Sequence, residues 1–350
     1  MRSSYKEEDV IFLLKDITGL VEPKPASERE RLIQSGKHYC EMLPLEYVPG
    51  EAYMEAYHQA LKTFAEPVAD AVGRLADQIM EHKGRQVVLV SLARAGTPVG
   101  ILLKHYIRKK YGYITPHYSI SIIRGRGIDS NAVTYLLERY RPEDILFVDG
   151  WVGKGAILGE LKKETAACPG LSSELAVLSD PANMTRLCGT HEDILIPSSC
   201  LNSVVSGLVS RTFLREDIIG KDDFHGAAYY GELKDCDLSY AFIEAIEDKF
   251  RMDLPPEEEK ALEGLGIDEV KKIAGHFQVQ DINLIKPGIG ETTRVLLRRV
   301  PWKVLISPAC RKDSALTHIL RLAEEKNVPV EYYPLTHYKT CGLIKKLADT

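Results

Sequence analysis

From Tyr53 to His82 the apolar residues Leu61, Phe64, Val68, Val72, Leu75 and Ile79 recur at spacings of three and four. That is the period of an amphipathic helix, and Lys83-Gly84 ends it. The period then changes. Val87-Val88-Leu89-Val90 is a continuous apolar run, too short for a helix and suited to a strand covered on both faces of a parallel sheet. The pattern that follows predicts a helix over 97–111, a strand over 117–123, a helix over 131–140 and a strand over 145–148. It goes on to predict a helix over 155–168, strands over 175–178 and 194–196, and a helix over 201–212. Strands alternating with helices of this length mean βαβ units and a mostly parallel sheet. Ahead of it, residues 1–50 mix helical and irregular stretches punctuated by Pro23, Pro25, Pro44 and Pro49.

After residue 235 the pattern turns helical and charged, with Gly264, Gly266 and Gly275 near its end. From Ile282 the alternation restarts on a smaller scale: a helix over 291–299, a strand over 303–306, a helix over 314–326, a strand over 330–333 and a helix over 340–347. The expected organisation is an N-terminal helical or hood region (1–85), a parallel-sheet α/β domain (86–235), a helical connector (236–280) and a small αβα domain (281–350). A length of 350 residues favours two domains over one core.

Composition narrows the function classes. No apolar run approaches the roughly 20 residues that cross a bilayer. Acids precede the short apolar stretch at the N-terminus, unlike a signal peptide. Seven cysteines, an odd number without CxxC spacing, argue for a reduced compartment and against a disulfide frame or zinc site, so a cytoplasmic protein is expected. The net charge of −5 conceals an asymmetry. Residues 281–350 carry twelve Lys/Arg against seven Asp/Glu, while the other 280 residues carry 33 against 43. A basic end on an acidic body points to an anionic partner such as nucleic acid.

Two loops at predicted strand ends carry candidate chemistry, because ligands in open parallel sheets bind beyond the carboxyl ends of strands. In Ser91-Leu92-Ala93-Arg94-Ala95-Gly96-Thr97, an arginine, a small residue and a glycine lie between a strand and a helix N-terminus, where amides and the helix dipole favour an anion. In Val148-Asp149-Gly150-Trp151-Val152-Gly153-Lys154-Gly155-Ala156-Ile157, an acid is followed by a glycine-rich turn that opens a helix. Gly153 and Gly155 let the backbone wrap a phosphate, Lys154 adds a point charge, and Asp149 suits a sugar hydroxyl or a metal-bound water. The GxxxxGK[ST] P-loop is absent.

Taken in order, the loops resemble those of type I phosphoribosyltransferases. That resemblance implies a pyrophosphate site at Arg94, Ala95 and Gly96, ribose contacts at Asp149, and the 5′-phosphate of phosphoribosyl pyrophosphate (PRPP) at Gly153, Lys154, Gly155, Ala156 and Ile157. It implies magnesium as cofactor, near Asp149, and Asp149, Lys154 and Arg94 as catalytic candidates. The chain departs from the pattern at Gly150, where a second acid is usual, and at Ile157, where a threonine is usual. The stretches SLARAGTPVG, YSISIIRGRGID, FVDGWVGKGAI, LIPSSCLNSVVSGLVSRT and DFHGAAYYGEL are similar to the StiP family, associated with tellurite-resistance and stress gene clusters and labelled both phosphoribosyltransferase and cysteine protease. The likeness runs over most of residues 1–250 and places Arg124 and Arg126 in a loop covering PRPP.

Thiol chemistry is the alternative. Cys200, after a predicted strand, is the candidate nucleophile, with His191 or His225 as base and Asn202 close in sequence. Free cysteine is also commonly a packed residue. Ser198, Ser199 and Ser203 could bond a substrate base or phosphate.

In the last seventy residues, Lys286-Pro287-Gly288-Ile289-Gly290-Glu291-Thr292-Thr293-Arg294 is a tight turn opening a helix. It resembles the segment by which Pelota/L7Ae-like domains clasp kinked RNA, which implies RNA contacts at Gly288, Gly290, Glu291, Thr292 and Arg294. KNVPVEYYPLTHYKTCGLIKKL extends the likeness. The reading is therefore a PRPP-binding transferase joined to an RNA-binding domain, with a homodimer possible and no membrane. A non-catalytic sensor of a nucleotide-like ligand and RNA is the remaining class.

Overall fold

The computed structural model describes residues 1–255 and 264–345. Its main sheet is built from β1 (Ile11–Phe12), β2 (Val88–Ala93), β3 (His117–Ile123), β4 (Ile145–Trp151), β5 (Leu175–Ser179) and β6 (Leu187–Thr190). They lie in the order β1-β3-β2-β4-β5-β6 with every neighbour parallel, and a short Gly127–Ile128 strand runs antiparallel to the end of β3. The chain leaves β2 for β3 on one side and returns to β4 on the other. The crevice at this reversal, outside the carboxyl ends of β2 and β4, is where an open parallel sheet presents its ligand site.

Helices cover both faces. The 33-residue α1 (Glu51–Lys83) turns Phe64, Val68, Val72, Leu75 and Ile79 inward over β5 and β6, together with α2 (Gly96–Tyr111). The approach is close: a Cβ on Gly189 of β6 would stand 2.2 Å from the Ala71 carbonyl oxygen of α1. On the opposite face, α3 (Ser130–Leu137) and α4 (Ala156–Thr165) contribute Ala132, Val133, Leu136, Leu158 and Leu161 to a second core. Strands β2 and β4 open on near-continuous apolar runs because they are buried from both sides, whereas β3 buries the polar residues His117, Ser119 and Ser121 among its apolar ones.

Within 236–280, α5 (Ser239–Glu247) packs on α1 and α2. The next helix, α6 (Gly266–His276), packs on the C-terminal body, where Glu269 accepts the backbone N–H groups of Thr336 and His337 at 2.8 and 3.0 Å. The C-terminal sheet runs β7-β10-β8-β9, made of β7 (Ile285–Pro287), β8 (Pro301–Ile306), β9 (Val330–Tyr332) and β10 (Thr340–Ile344). The helices α7 (Ile289–Arg298) and α8 (Thr317–Glu325) pack on each other, and α7 lies against β10.

Three expected elements differ. Residues 340–344 are the central strand β10, not the start of a helix over 340–347; residues 346–350 lie outside the described residues. The gap between β7 and β8 recruits this buried run, and no local pattern records that gap. The helix expected over 201–212 is replaced by turns at Pro197–Cys200 and Ser203–Val205. Gly207 at φ +76° and Leu208 at φ +56° stop any helix there. Ile194, Leu195 and Ile196 form an extended segment without a ladder, and the sheet ends instead at Leu187–Thr190. Among the described residues no helix is long and apolar enough to cross a membrane.

Candidate functional site

The crevice between β2 and β4 opens into a cavity of about 240 Å³. One wall is Asp149 and the turn from Gly153 to Leu158; the other is Lys286, Pro287, Glu291 and Arg294 of the C-terminal domain. Ala95 and Arg124 complete it. The site is therefore composite, shared by both domains.

The turn is shaped for an anion. Gly155 sits at φ +80° ahead of α4, and no side chain caps that helix, so its first amides are left for a ligand. A Cβ on Gly155 would also lie 2.4 Å from the Met184 methyl. Gly150 stands where a second acid was expected, and a Cβ there would already be 3.3 Å from Ile196 Cδ1. The missing acid is thus matched by tight packing.

Asp149 accepts a hydrogen bond from its neighbour's amide, Gly150 N–H, at 2.8 Å. Burial pushes its carboxyl up to about 7, against that bond and the Arg294 charge. An acid raised by burial at a cavity wall marks a candidate functional site. Lys154 lines the cavity, but its ammonium donates to the carbonyls of Ile282 at 2.5 Å and Ile285 at 3.0 Å. Burial lowers it to about 8. It anchors the C-terminal chain to the turn at 153–155, so only its remaining proton is open to a ligand. Lys286 faces the cavity without an ion pair among the described residues, and burial lowers its pKa too. Sequence reasoning missed Lys286 as a ligand group. Its signal was the Lys-Pro-Gly turn, read as RNA-facing. Trp151 was also missed; Arg294 lies over its ring at 5.9 Å.

The first loop is arranged differently from expectation. Arg94 turns away from the cavity and donates to Glu46 at 2.9 Å and to the Val209 carbonyl at 3.1 Å. Burial would raise the Glu46 carboxyl, but the Arg94 charge holds it below its ordinary value. Gly96 is needed for packing, since a Cβ would stand 2.5 Å from the Val148 carbonyl. Arg124 lines the cavity and donates to Asn283 at 3.1 Å, whereas Arg126 pairs with Glu41 at 3.1 Å, outside it.

The turn expected to meet RNA is packed against the main domain. The Gly288 amide donates to Thr340, Ile289 N–H donates to the Asp193 carboxylate at 2.9 Å, and Gly290 and Thr292 are buried. Glu291 and Arg294 pair with each other at 3.1 Å and face the cavity. Glu291 and Arg294 are thus part of the cleft wall, while Gly288, Gly290 and Thr292 are packed, so the docked domain does not present these five residues as an open clasp.

Cys200 is fully buried, and burial pushes its thiol up to about 12. Its sulfur lies 4.0 Å from the Ala56 carbonyl, while His225 bonds Ser121 and His191 bonds the Asp180 carbonyl. No base serves Cys200 among the described residues, and Asn202 caps its own turn instead. The cysteine–histidine pairs that do occur are Cys188 Sγ with His191 Nε2 at 3.4 Å and Cys40 Sγ with His38 Nδ1 at 2.9 Å. The described residues contain no cluster of three metal-ligating acids, histidines or cysteines.

Fold and cleft together define an α/β protein with a parallel-sheet ligand domain and a separate small C-terminal domain docked across its mouth. The chain belongs to the StiP family: residues 3–247 match the family described as tellurite-like stress resistance cysteine protease StiP. Residues 264–346 match the PELOTA RNA binding domain. A relative from Acinetobacter baylyi, named cysteine protease StiP, is 38% identical over 98% of this chain and 94% of its own length. Among solved structures, a hypoxanthine-guanine phosphoribosyltransferase from Bacillus anthracis is similar over 36% of this chain and 76% of its own, at 16% identity and a TM-score of 0.28. A second structure of that enzyme, with a HEPES molecule in its active site, gives 0.27 over 36% and 77% at the same 16% identity. Likeness at that level adds nothing to the topology above.

Proposed function

We propose that the composite cleft binds a phosphorylated ribosyl ligand, PRPP or a related phosphoribosyl donor, and that the protein is a pentosyltransferase whose C-terminal domain also engages RNA. The observation that carries this is the uncapped α4 N-terminus facing Asp149, Lys286 and Arg294 across one cavity. A volume of about 240 Å³ is just below the roughly 300–1,000 Å³ usual for drug-sized ligands and suits a sugar phosphate. The α4 amides would hold the 5′-phosphate and Asp149 the ribose hydroxyls. Asp149, the one carboxylate besides Glu291 on the cavity wall among the described residues, would hold magnesium with water and substrate phosphate supplying the remaining oxygens, and the ion would neutralise the leaving diphosphate. An acceptor then attacks the ribosyl carbon as the bond to pyrophosphate breaks and its electron pair departs with pyrophosphate. The protein contributes positioning and charge. RNA engagement rests on the match at 264–346 and on the excess of cations near the C-terminus.

Calorimetric titration tests the donor site. PRPP with magnesium is expected to bind the full chain, and absence of binding removes the transferase reading.

A second reading, thiol hydrolysis, follows the printed name of the relative and the Cys188–His191 pair, whose imidazole is oriented by the Asp180 carbonyl at 2.9 Å. Cys200 does not carry it. Cys200→Ser is expected to leave both PRPP binding and any peptide hydrolysis within a few-fold of wild type. A protease assay in which Cys188→Ser falls about a thousandfold, with folding intact, would install the thiol reading in place of the transferase.

A further inference from the structure

We infer that the C-terminal domain carries a base-stacking platform for single-stranded RNA, centred on Trp302 and separate from the cleft. The inference rests on the RNA engagement proposed above and names the surface that performs it. The turn at 288–294 is taken up by docking, since Ile289 donates to Asp193 at 2.9 Å and Gly290 and Thr292 are buried, so a strand must meet the docked domain elsewhere. Trp302 stands on β8, 38% exposed, with its ring 6.1 Å from that of Phe277 at an interplanar angle of 85°. His276 and Phe277, at the end of α6, continue the surface. Their rings lie 4.6 Å apart, and the Tyr333 ring is 5.2 Å from His276 and 5.6 Å from Phe277. Four rings thus form one contiguous patch, of which Trp302 and His276 are the exposed members.

The local backbone explains why the indole is at the surface. Val304 and Ile306 of the same strand join the core with α7 and α8, while Leu305 joins Val270 and Ile273 of α6 on the other side. Strict alternation would send Trp302 to the Val304 side. Between Pro301 and Lys303 the pairing of β8 with β10 is irregular, and that break turns the indole toward Phe277 on the α6 side. Cations sit among the rings. Lys303 Nζ lies 4.6 Å from the Phe277 centroid and 5.1 Å from that of Trp302, held there by Glu331 at 2.6 Å. The Lys345 amide donates to the Val300 carbonyl at 2.9 Å, which brings a further exposed lysine to the start of β8. Aromatic faces interleaved with cations suit an unpaired nucleotide strand, whose bases stack on rings while its phosphates run past the ammonium groups. A protein partner covering the patch would have to desolvate these lysines, whereas a phosphodiester chain pairs with them. The match of residues 264–346 to an RNA-binding domain takes in all four rings.

Fluorescence anisotropy of the full chain with a short oligouridine bearing a 5′-hydroxyl tests this, because an end without phosphate offers no monoester to the α4 turn. Trp302→Ala should lose roughly tenfold to a hundredfold in affinity against wild type, the worth of a stacked base. Trp302→Phe, which keeps a ring, should lose less. A blunt RNA duplex, whose bases are already stacked on one another, should not distinguish the three proteins. A strand carrying 4-thiouridine should photocross-link in wild type to the peptides that contain Trp302 or Phe277, a readout that stands even where the alanine variant fails to fold. Unchanged affinity of a folded Trp302→Ala, an equal loss toward the duplex, or cross-links confined to other surfaces overturns the platform and leaves the patch to a protein partner. Wild type that binds neither RNA at low salt refutes the RNA reading itself, and the platform with it.

Discussion

Asp193→Ala should release the C-terminal domain from the cleft and cost the chain more stability than any other single change considered. The buried carboxylate of Asp193, on the loop after β6, accepts Ile289 N–H at 2.9 Å with one oxygen and Lys339 N–H at 2.9 Å with the other. The main domain thereby caps the N-terminus of α7, a task usually performed by the helix's own flanking residue. Removing the carboxylate strands two buried donors, each worth about 1–3 kcal/mol, so about 2–6 kcal/mol is at stake. Calorimetry should show a lowered Tm, and proteolysis between α5 and α6 should accelerate. Asp193→Asn, which keeps an acceptor, should lose less. Because Lys286 and Arg294 sit on the released domain, phosphate-ligand affinity should fall with docking. An Asp193→Ala protein that melts with wild type and binds ligand normally would contradict the composite site.

Asp149→Asn should do the opposite to stability. Burial raises the Asp149 carboxyl in the folded state to about 7, while an unfolded chain titrates near its ordinary value of 3.8. The folded state therefore holds a proton that the unfolded state releases. Stability from this group is full below about pH 4 and is lost as pH rises through about 7. That difference is worth at most about 4 kcal/mol, less whatever cavity water screens. A neutral amide in place of the carboxylate carries no such charge, so the variant should melt several degrees above wild type at pH 8 and close to it at pH 4. Its magnesium-dependent PRPP binding should vanish. In wild type that binding should strengthen as pH rises through about 7, and in the variant it should be flat. A variant that destabilises at pH 8, or keeps magnesium-dependent binding, would remove Asp149 from its role.

Much of the architecture was legible because its signals are local. The three- and four-residue spacing from Leu61 to Ile79 is α1, and the unbroken apolar runs at Val87 and Ile145 mark β2 and β4. The glycine-rich turn after Asp149 was legible as a loop at the sheet's ligand end, and it does line the cavity there. What failed depends on partners distant in sequence. Arg94 meets Glu46, 48 residues away, and no spacing announces that the arginine is spent on it. Lys154 likewise reaches carbonyls about 130 residues on, at Ile282 and Ile285. Thr340–Ile344 becomes a strand because two others leave a central gap. The turn from Gly288 to Arg294 was recognisable as a tight turn opening a helix, but its docking on Asp193 could not be read from the turn alone.

The most direct test of the cleft is crystallographic: difference density from crystals of the full chain soaked with PRPP and magnesium. The account predicts a phosphate on the amides of Gly155–Ile157, with Lys286 and Arg294 of the C-terminal domain within hydrogen-bond reach of the same ligand. Ligand density elsewhere, beside Cys188 or on the outer face of the C-terminal sheet, with the α4 N-terminus empty, would contradict it.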